Sequence, residues 1–468
     1  MRAAVPLSGI CVSAALLALP HAQAAPAPPE HAPAPSQYFR SRPDLRPPMI
    51  RILRPAHGTA PGYLFVAPKL NAAQAGQMIF DNYGHLVWFR PLNTRGVTGL
   101  RVQRYRGRPV LTWWQQRPEG TRVDPWYTVA DTSYRTIATI RPVGRVLGDI
   151  HEFVLTQRGT ALMTTVRTIT VGGRPVTDGG FQELDLRTGR VLLDWHSVGH
   201  VPLSESYAKG PRKESVPYDF FHVNSIAQDS DGNLLVSARN TQTVYKIGRR
   251  TGRIIWRLGG KHSDFALGRG ARFAWQHDAR RQPDGTIRIF DNGAAPRVHP
   301  QSRVIFLHLN RRMKRARLVR SVVHRPPIVA INQGNAQALP HGHLLVGWGH
   351  DPHVTEYDAR GRVVLDLRFA GRVDSYRAFR FPWVGRPLAR PAAALYRGRI
   401  YASWNGATQI ARWQVLAGRN PYSLKPVRTV PKRGFETAIA APAFPWLAAR
   451  ALARDGQTLG TSRPVGHR

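Results

Sequence analysis

The residues in this chain best suited to chemistry are three histidines, each at or near the start of a run that reads as strand. They are His151 in GDIHEF, His222 in FFHVNSI and His277 in WQHDARR. A neutral imidazole acts as nucleophile or proton carrier near pH 7. Asn224 follows His222 by two residues, so both side chains fall on one strand face. Arg239, in LLVSARN, ends the partner strand and offers a fixed fork of donors with a permanent charge. Imidazoles, an amide and a guanidinium around one void make a site for a tetrahedral or trigonal oxyanion. Asn292 and Arg297, in FDNGAAPR, are further candidates for contact with a substrate, although Asn-Gly also suits a plain turn. Singly, each histidine suits a structural role. At matching positions along repeated hairpins, all three point to one shared cavity.

The elements that must position them are short strands. Between Tyr218 and Arg297 two histidine-led units recur, each with an Asp-Gly turn, Asp231-Gly232 and Asp284-Gly285, ahead of an apolar second strand. This predicts two hairpins with tight primed turns. A second phrase also recurs: a polar or acidic residue, a turn ending in Gly, then apolar residues. It reads DNYGHLVWF, LDLRTGRVLLDW, IGRRTGRIIWRL and YDARGRVVLDL, as the outer hairpin of a propeller blade does. From about Ile50 onward no segment of convincing helical period interrupts the strands. The fold class expected is all-β: a propeller of about six blades over 44–385, then a small fibronectin type III-like β-sandwich over 386–468 with a Trp-bearing strand. So long a run of hairpins needs closure to protect its edges.

MRAAVPLSGICVSAALLALPHAQA fits a secretory signal peptide over 1–24, followed over 25–43 by a Pro/Ala linker. The expected location is therefore outside the cytoplasm: periplasmic, wall-associated or secreted. The single cysteine, Cys11, lies in that leader, so neither a disulfide nor a thiolate metal site is expected beyond it, and no other stretch is apolar enough to span a bilayer as a helix. The formal charge of +39 is nearly all arginine spread along the chain, with one denser run, RRMKRARLVR. Even spread argues against a nucleic-acid partner while still steering anionic substrates inward. No GxxxxGK[ST] loop is present to hold a nucleotide and no G-x-S-x-G elbow.

At this point the residues meet a resemblance. The stretch 218–297 resembles the arylsulfate sulfotransferase family, in its secreted bacterial and fungal branch. The likeness runs through GYLFVAPK, DIHEF, FHVNSI, SARNTQTVYKI, IIWRLGGKHSDF, WQHDAR, FDNGA, GNAQALPHG and SYRAFRFPW to SWNGAT. It implies a six-bladed propeller with a central funnel. It also implies transfer of a sulfuryl group from a phenolic sulfate ester to a phenol, both small molecules, with no cofactor and no metal. One histidine is then transiently sulfated, by order and spacing His277. His222, Asn224 and Arg239 match the residues that hold the sulfuryl oxygens, and His151 is the remaining histidine. The family's late-blade hydroxyl residue falls in INQGNAQ, where Gln333 or Asn335 stands instead. The better-characterised members also carry a disulfide and an N-terminal sandwich, whereas the sandwich here is C-terminal. Trp275, with Trp113, Trp114 and Trp348, is a candidate to stack on an aryl group or to fill blade cores. Two other functions stay open: a non-catalytic propeller binding an anionic ligand, and an aryl sulfate hydrolase.

Overall fold

The computed structural model describes residues 33–92, 96–117 and 124–466. The leader expected at 1–24 lies outside the described residues, as do residues 25–32 of the linker expected over 25–43. The chain is all-β and propeller-like, built of small antiparallel sheets. Six sheets of four or five strands use residues from Ile50 to Phe381. The strand at one edge of each is Val97–Tyr105, Leu147–Leu155, Val223–Gln228, His277–Arg281, Asn335–Ala338 or Phe379–Phe381. These edge strands meet one another in turn: Val97–Tyr105 lies against Leu147–Leu155, then Val223–Gln228, His277–Arg281 and Asn335–Ala338 follow.

Alternation explains why consecutive sheets stack. Leu234 and Val236 join a cluster with Phe181 and Trp195 of the preceding sheet. Leu235, between them, joins Ile287, Ile289 and Ile305 of the next. Both faces of such a strand are buried, so it reads as a continuous apolar run. Each neighbouring pair of sheets shares one cluster of this kind. Two pairings tie the ends of the array together. Phe379–Phe381 pairs antiparallel with Tyr63–Val66, and Ile50–Arg54 pairs with Val363–Phe369. Early and late chain thus share two sheets.

The Asp-Gly turns differ from the expectation in type. Gly232 and Gly285 have φ of 81° and 79°, but the aspartates before them keep ordinary negative φ. Gly232 N–H bonds to Asp229 O and Gly285 N–H to Gln282 O, which is a type I turn closed by a left-handed glycine rather than a primed turn. Only the glycine position needs positive φ. The recurring outer phrases do form outer hairpins, as in Gly76–Phe80 with Leu86–Pro91 and Thr243–Ile247 with Ile254–Gly259.

Residues 392–466 form two further sheets, of three and five strands, around Ile400, Trp413, Val415, Ile439 and Leu447. This unit is fastened to the array. Asn405 bridges Phe89 N and O at 2.9 and 2.8 Å, and Tyr134 Oη donates to Gly406 O at 2.7 Å. Among the described residues no helix is long and apolar enough to cross a membrane.

Candidate active site

His277 opens the His277–Arg281 strand, His222 immediately precedes Val223–Gln228, and His151 sits inside Leu147–Leu155. Because these three strands are neighbours, the rings converge. The His151 and His222 centroids lie 4.8 Å apart in an edge-to-face contact. Tyr376, from beyond the sixth sheet, packs its ring 5.4 Å from His151 and 6.2 Å from His277. Four residues at or just before the starts of edge strands here, His222, Trp275, Asp278 and Gln333, hold positive φ of 52–62°. Such conformations cost about 1–3 kcal/mol each and concentrate at functional sites.

The three rings differ in what their Nδ1 atoms face. His151 Nδ1 lies 2.5 Å from Asp149 Oδ2, and His222 Nδ1 bonds to Asp219 Oδ2. His277 Nδ1 instead meets an amide oxygen, Asn292 Oδ1, at 2.7 Å. His277 is 1% exposed. Burial, then the nearby Arg239 charge, push its imidazole well below the ordinary histidine range. Burial also lowers His151, with Asp149 pulling the other way. Asp149 is itself depressed: its burial opposes ionisation, but the His151 charge and hydrogen bond prevail. The site therefore holds one imidazole that faces an amide and two backed by carboxylates.

Arg239 donates through Nη1 to Asn240 Oδ1 at 2.9 Å and through Nη2 to Ile331 O at 3.4 Å. Its Nε is buried with no partner, and it pairs with no carboxylate among the described residues. Its guanidinium lies 4.9 Å from the Trp275 ring centroid. Trp275 Nε1 is tied to Pro296 O at 3.0 Å, which leaves the ring face to the cation. Asn224, fully buried, donates to Gln276 O at 2.7 Å, while its Oδ1 stays unpaired. The Gln276 carbonyl orients the amide and anchors it beside His277.

Beside the histidines lies a buried charge cluster. Glu152, 2% exposed, accepts from Arg101 at 2.9 Å, from Arg377 at 3.0 and 3.1 Å, and from Arg280. Burial opposes ionisation of Glu152, yet Arg280, Arg377 and Arg101 hold its carboxyl far below the usual range. Arg280 also binds Asp278 at 2.8 Å, and Arg377 Nη2 donates to Asn224 O at 2.9 Å. Excess cation in this cluster raises the local potential, which favours anions and disfavours imidazolium.

Of the candidates read from sequence, the structure brings together His151, His222, His277, Asn224, Arg239, Trp275 and Asn292. Gln333 touches this group through its carbonyl, which accepts from Asn292 at 2.9 Å, while its side chain donates to Asp374 at 2.9 Å. Asn335 lies apart: its amide brackets Ala378, donating to O and accepting from N, both at 2.9 Å. Arg297 is exposed and bonds to its own loop at His299 O and Pro300 O. Trp113, Trp114 and Trp348 fill clusters between sheets. Sequence reasoning missed Tyr376, Asp149, Asp219 and the Glu152 cluster. Asp149 stands two residues before His151 and Asp219 three before His222, a spacing that could have been noticed. Tyr376 carries no such local mark.

A family model for arylsulfotransferase (ASST) matches residues 102–370, the span holding all three histidines. The chain belongs to the arylsulfotransferase family. That is a family of transferases, and small-molecule substrates fit it. No curated protein matches the chain. Among solved structures, a protein of unknown function from Bacteroides caccae is 15% identical, covering 68% of this chain and 98% of that one at a TM-score of 0.41. A Lactobacillus plantarum protein is 13% identical over 80% and 97%, at 0.35. A streptogramin B lyase is 11% identical over 78% and 90%, at 0.33.

Proposed function

We propose that this arylsulfotransferase moves a sulfuryl group from a phenolic sulfate ester to a phenol through a sulfated His277, without a nucleotide donor. The observation that carries the reading is the contrast in Nδ1 partners: an amide at His277, carboxylates at His151 and His222. Environments that push like groups apart assign them different roles. Neutral His277 attacks sulfur through Nε2, the S–O bond to the aryl oxygen breaks, and an N–S bond forms. Arg239 and Asn224 hold the sulfuryl oxygens as charge redistributes. His222 or His151, each with a carboxylate at Nδ1, passes a proton to the departing phenolate. The acceptor phenol returns it as its oxygen takes the sulfuryl group from His277. Trp275 and Tyr376 offer aromatic surface to the aryl rings.

The test is transfer from 4-nitrophenyl sulfate to a second phenol. His277→Asn should abolish it, and mass spectrometry of wild type given donor alone should find a sulfated peptide containing residue 277. Undiminished transfer by His277→Asn would sink the assignment.

The same reading takes the six stacked sheets as a closed six-bladed propeller over 44–385, and 386–468 as a fibronectin type III-like sandwich. It takes 1–24 as an export signal. Mature protein recovered outside the cytoplasm with Ala25 as its first residue supports export, and retention of residues 1–24 on the finished protein contradicts it.

A further inference from the structure

Asn292 stands in a turn-like FDNGA stretch where an asparagine needs no special role, yet its amide is fully determined. Both Nδ2 hydrogens are committed, one to Ala330 O and one to Gln333 O, each at 2.9 Å. Two carbonyls on that side can face only the donor end of the amide. Oδ1 is therefore the atom turned to His277 Nδ1, 2.7 Å away, and the usual ambiguity of an amide flip is removed. Oδ1 can only accept, so the ring nitrogen opposite must carry a hydrogen. The clamp is itself held: Ser302 Oγ donates to Asn292 O at 2.7 Å and accepts from Ala330 N at 2.8 Å. Asn292 is wholly buried, so water does not compete for either end.

We infer that Asn292 is a positioning residue that locks His277 in its Nδ1–H tautomer and thereby leaves the Nε2 lone pair free to react. This rests on the reading of His277 as nucleophile for its consequence, though not for the tautomer itself. Free histidine favours the opposite tautomer, with the hydrogen on Nε2, which cannot attack through that nitrogen. An acceptor on Nδ1 reverses that preference. An aspartate in this place would do so too, but its charge would also favour imidazolium. A neutral amide fixes the tautomer without protonating the ring. The orphan oxygen of a buried amide elsewhere in the site, Asn224 Oδ1, has no such relation to a histidine in the described structure.

The experiment is nitrogen-15 NMR of histidine-labelled full chain at pH 8, with the His277 ring assigned by loss of its signals in His277→Gln. Wild type should show His277 as the Nδ1–H tautomer. Asn292→Ala should release it towards the Nε2–H form and lower kcat by roughly 10²-fold, with KM little changed; a wrong tautomer in a serine-protease triad costs about 10⁴-fold. Asn335→Ala removes an equally buried, backbone-bridging amide and should leave the His277 tautomer as it is. An Nε2–H ring in wild type, or an unchanged ring in a folded Asn292→Ala, overturns the inference. The tautomer is read without substrate. A locked ring in a protein that transfers no sulfuryl group therefore upholds the inference while the sulfotransfer reading falls.

Discussion

Glu152→Gln tests whether the charge cluster beside the histidines holds the site together. The carboxylate is 2% exposed and is the shared acceptor for Arg101, Arg280 and Arg377. Glutamine preserves the volume but removes the charge, leaving three guanidinium groups with Asp278 as the nearest remaining carboxylate of the cluster. Removing one partner of a buried ion pair costs about 3–5 kcal/mol, because the other charge stays buried and uncompensated. A whole domain is stable by only about 5–15 kcal/mol, so the variant should be folded but markedly weakened. The assay is equilibrium urea unfolding followed by tryptophan fluorescence, read as a fall in midpoint at unchanged slope. Asp44→Asn supplies the contrast: its pair with Arg42 is 2.6 Å long, but the side chains are 58% and 31% exposed, and such a pair contributes about 0–1 kcal/mol. Transfer activity should fall with Glu152→Gln as well, since Arg377 anchors the Asn224 carbonyl. A loss below about 1 kcal/mol, equal to that of Asp44→Asn, would show that the cluster is not acting as a buried charge network and would refute the argument.

Two more outcomes are expected. His324 is 3% exposed and faces acceptors at both nitrogens, Pro326 O at 2.7 Å and Asp366 Oδ2 at 3.2 Å, with His353 5.2 Å away and Asp351 adding to the field. Burial opposes its charge, but the Asp366 and Pro326 bonds and the two carboxylates raise its pKa, so the fold binds the proton more tightly than the unfolded chain. The stabilisation is full below the unfolded value of about 6.5 and is lost as pH rises through the folded value; thermal unfolding from pH 6 to 9 should show a steeper loss in wild type than in His324→Gln, where the raised His196 still contributes, and equal slopes would refute it. Arg239→Lys keeps the charge but gives up the fork to Asn240 and Ile331 and the stacking on Trp275; kcat for sulfuryl transfer should drop by about 10²-fold or more, and a wild-type rate would remove Arg239 from the site.

Much of the site was legible from local pattern. His222 immediately precedes the Val223–Gln228 strand that carries Asn224, and Arg239 follows the partner strand Leu234–Ala238, so one hairpin accounts for their meeting; period-two alternation does not, because His222 stands outside the strand with a φ of 56°. The roles within the site were less legible. Asn292 looked like a turn residue with a claim on substrate, and only its two carbonyl partners show what the amide does. Asn335 and Gln333 were indistinguishable in INQGNAQ, yet one brackets Ala378 and the other reaches Asp374. Turn type was misjudged because Asp-Gly suits both a primed turn and a type I turn closed by glycine, and φ at the aspartate decides between them.

By itself the sequence determined what is short-range: all-β structure from alternating runs and turn residues, the family from ordered phrases, and three histidines in or beside separate strands. Tertiary structure decided what is long-range. Glu152 meets arginines from three other strands or segments, at 101, 280 and 377, and Tyr376 reaches His151 and His277 from far along the chain. Such contacts arise from the stacking of neighbouring sheets, whose order is set by summed apolar burial between them rather than by any pattern within a strand. The partner of each Nδ1, and with it the chemical character of each histidine, exists only once that stacking is complete.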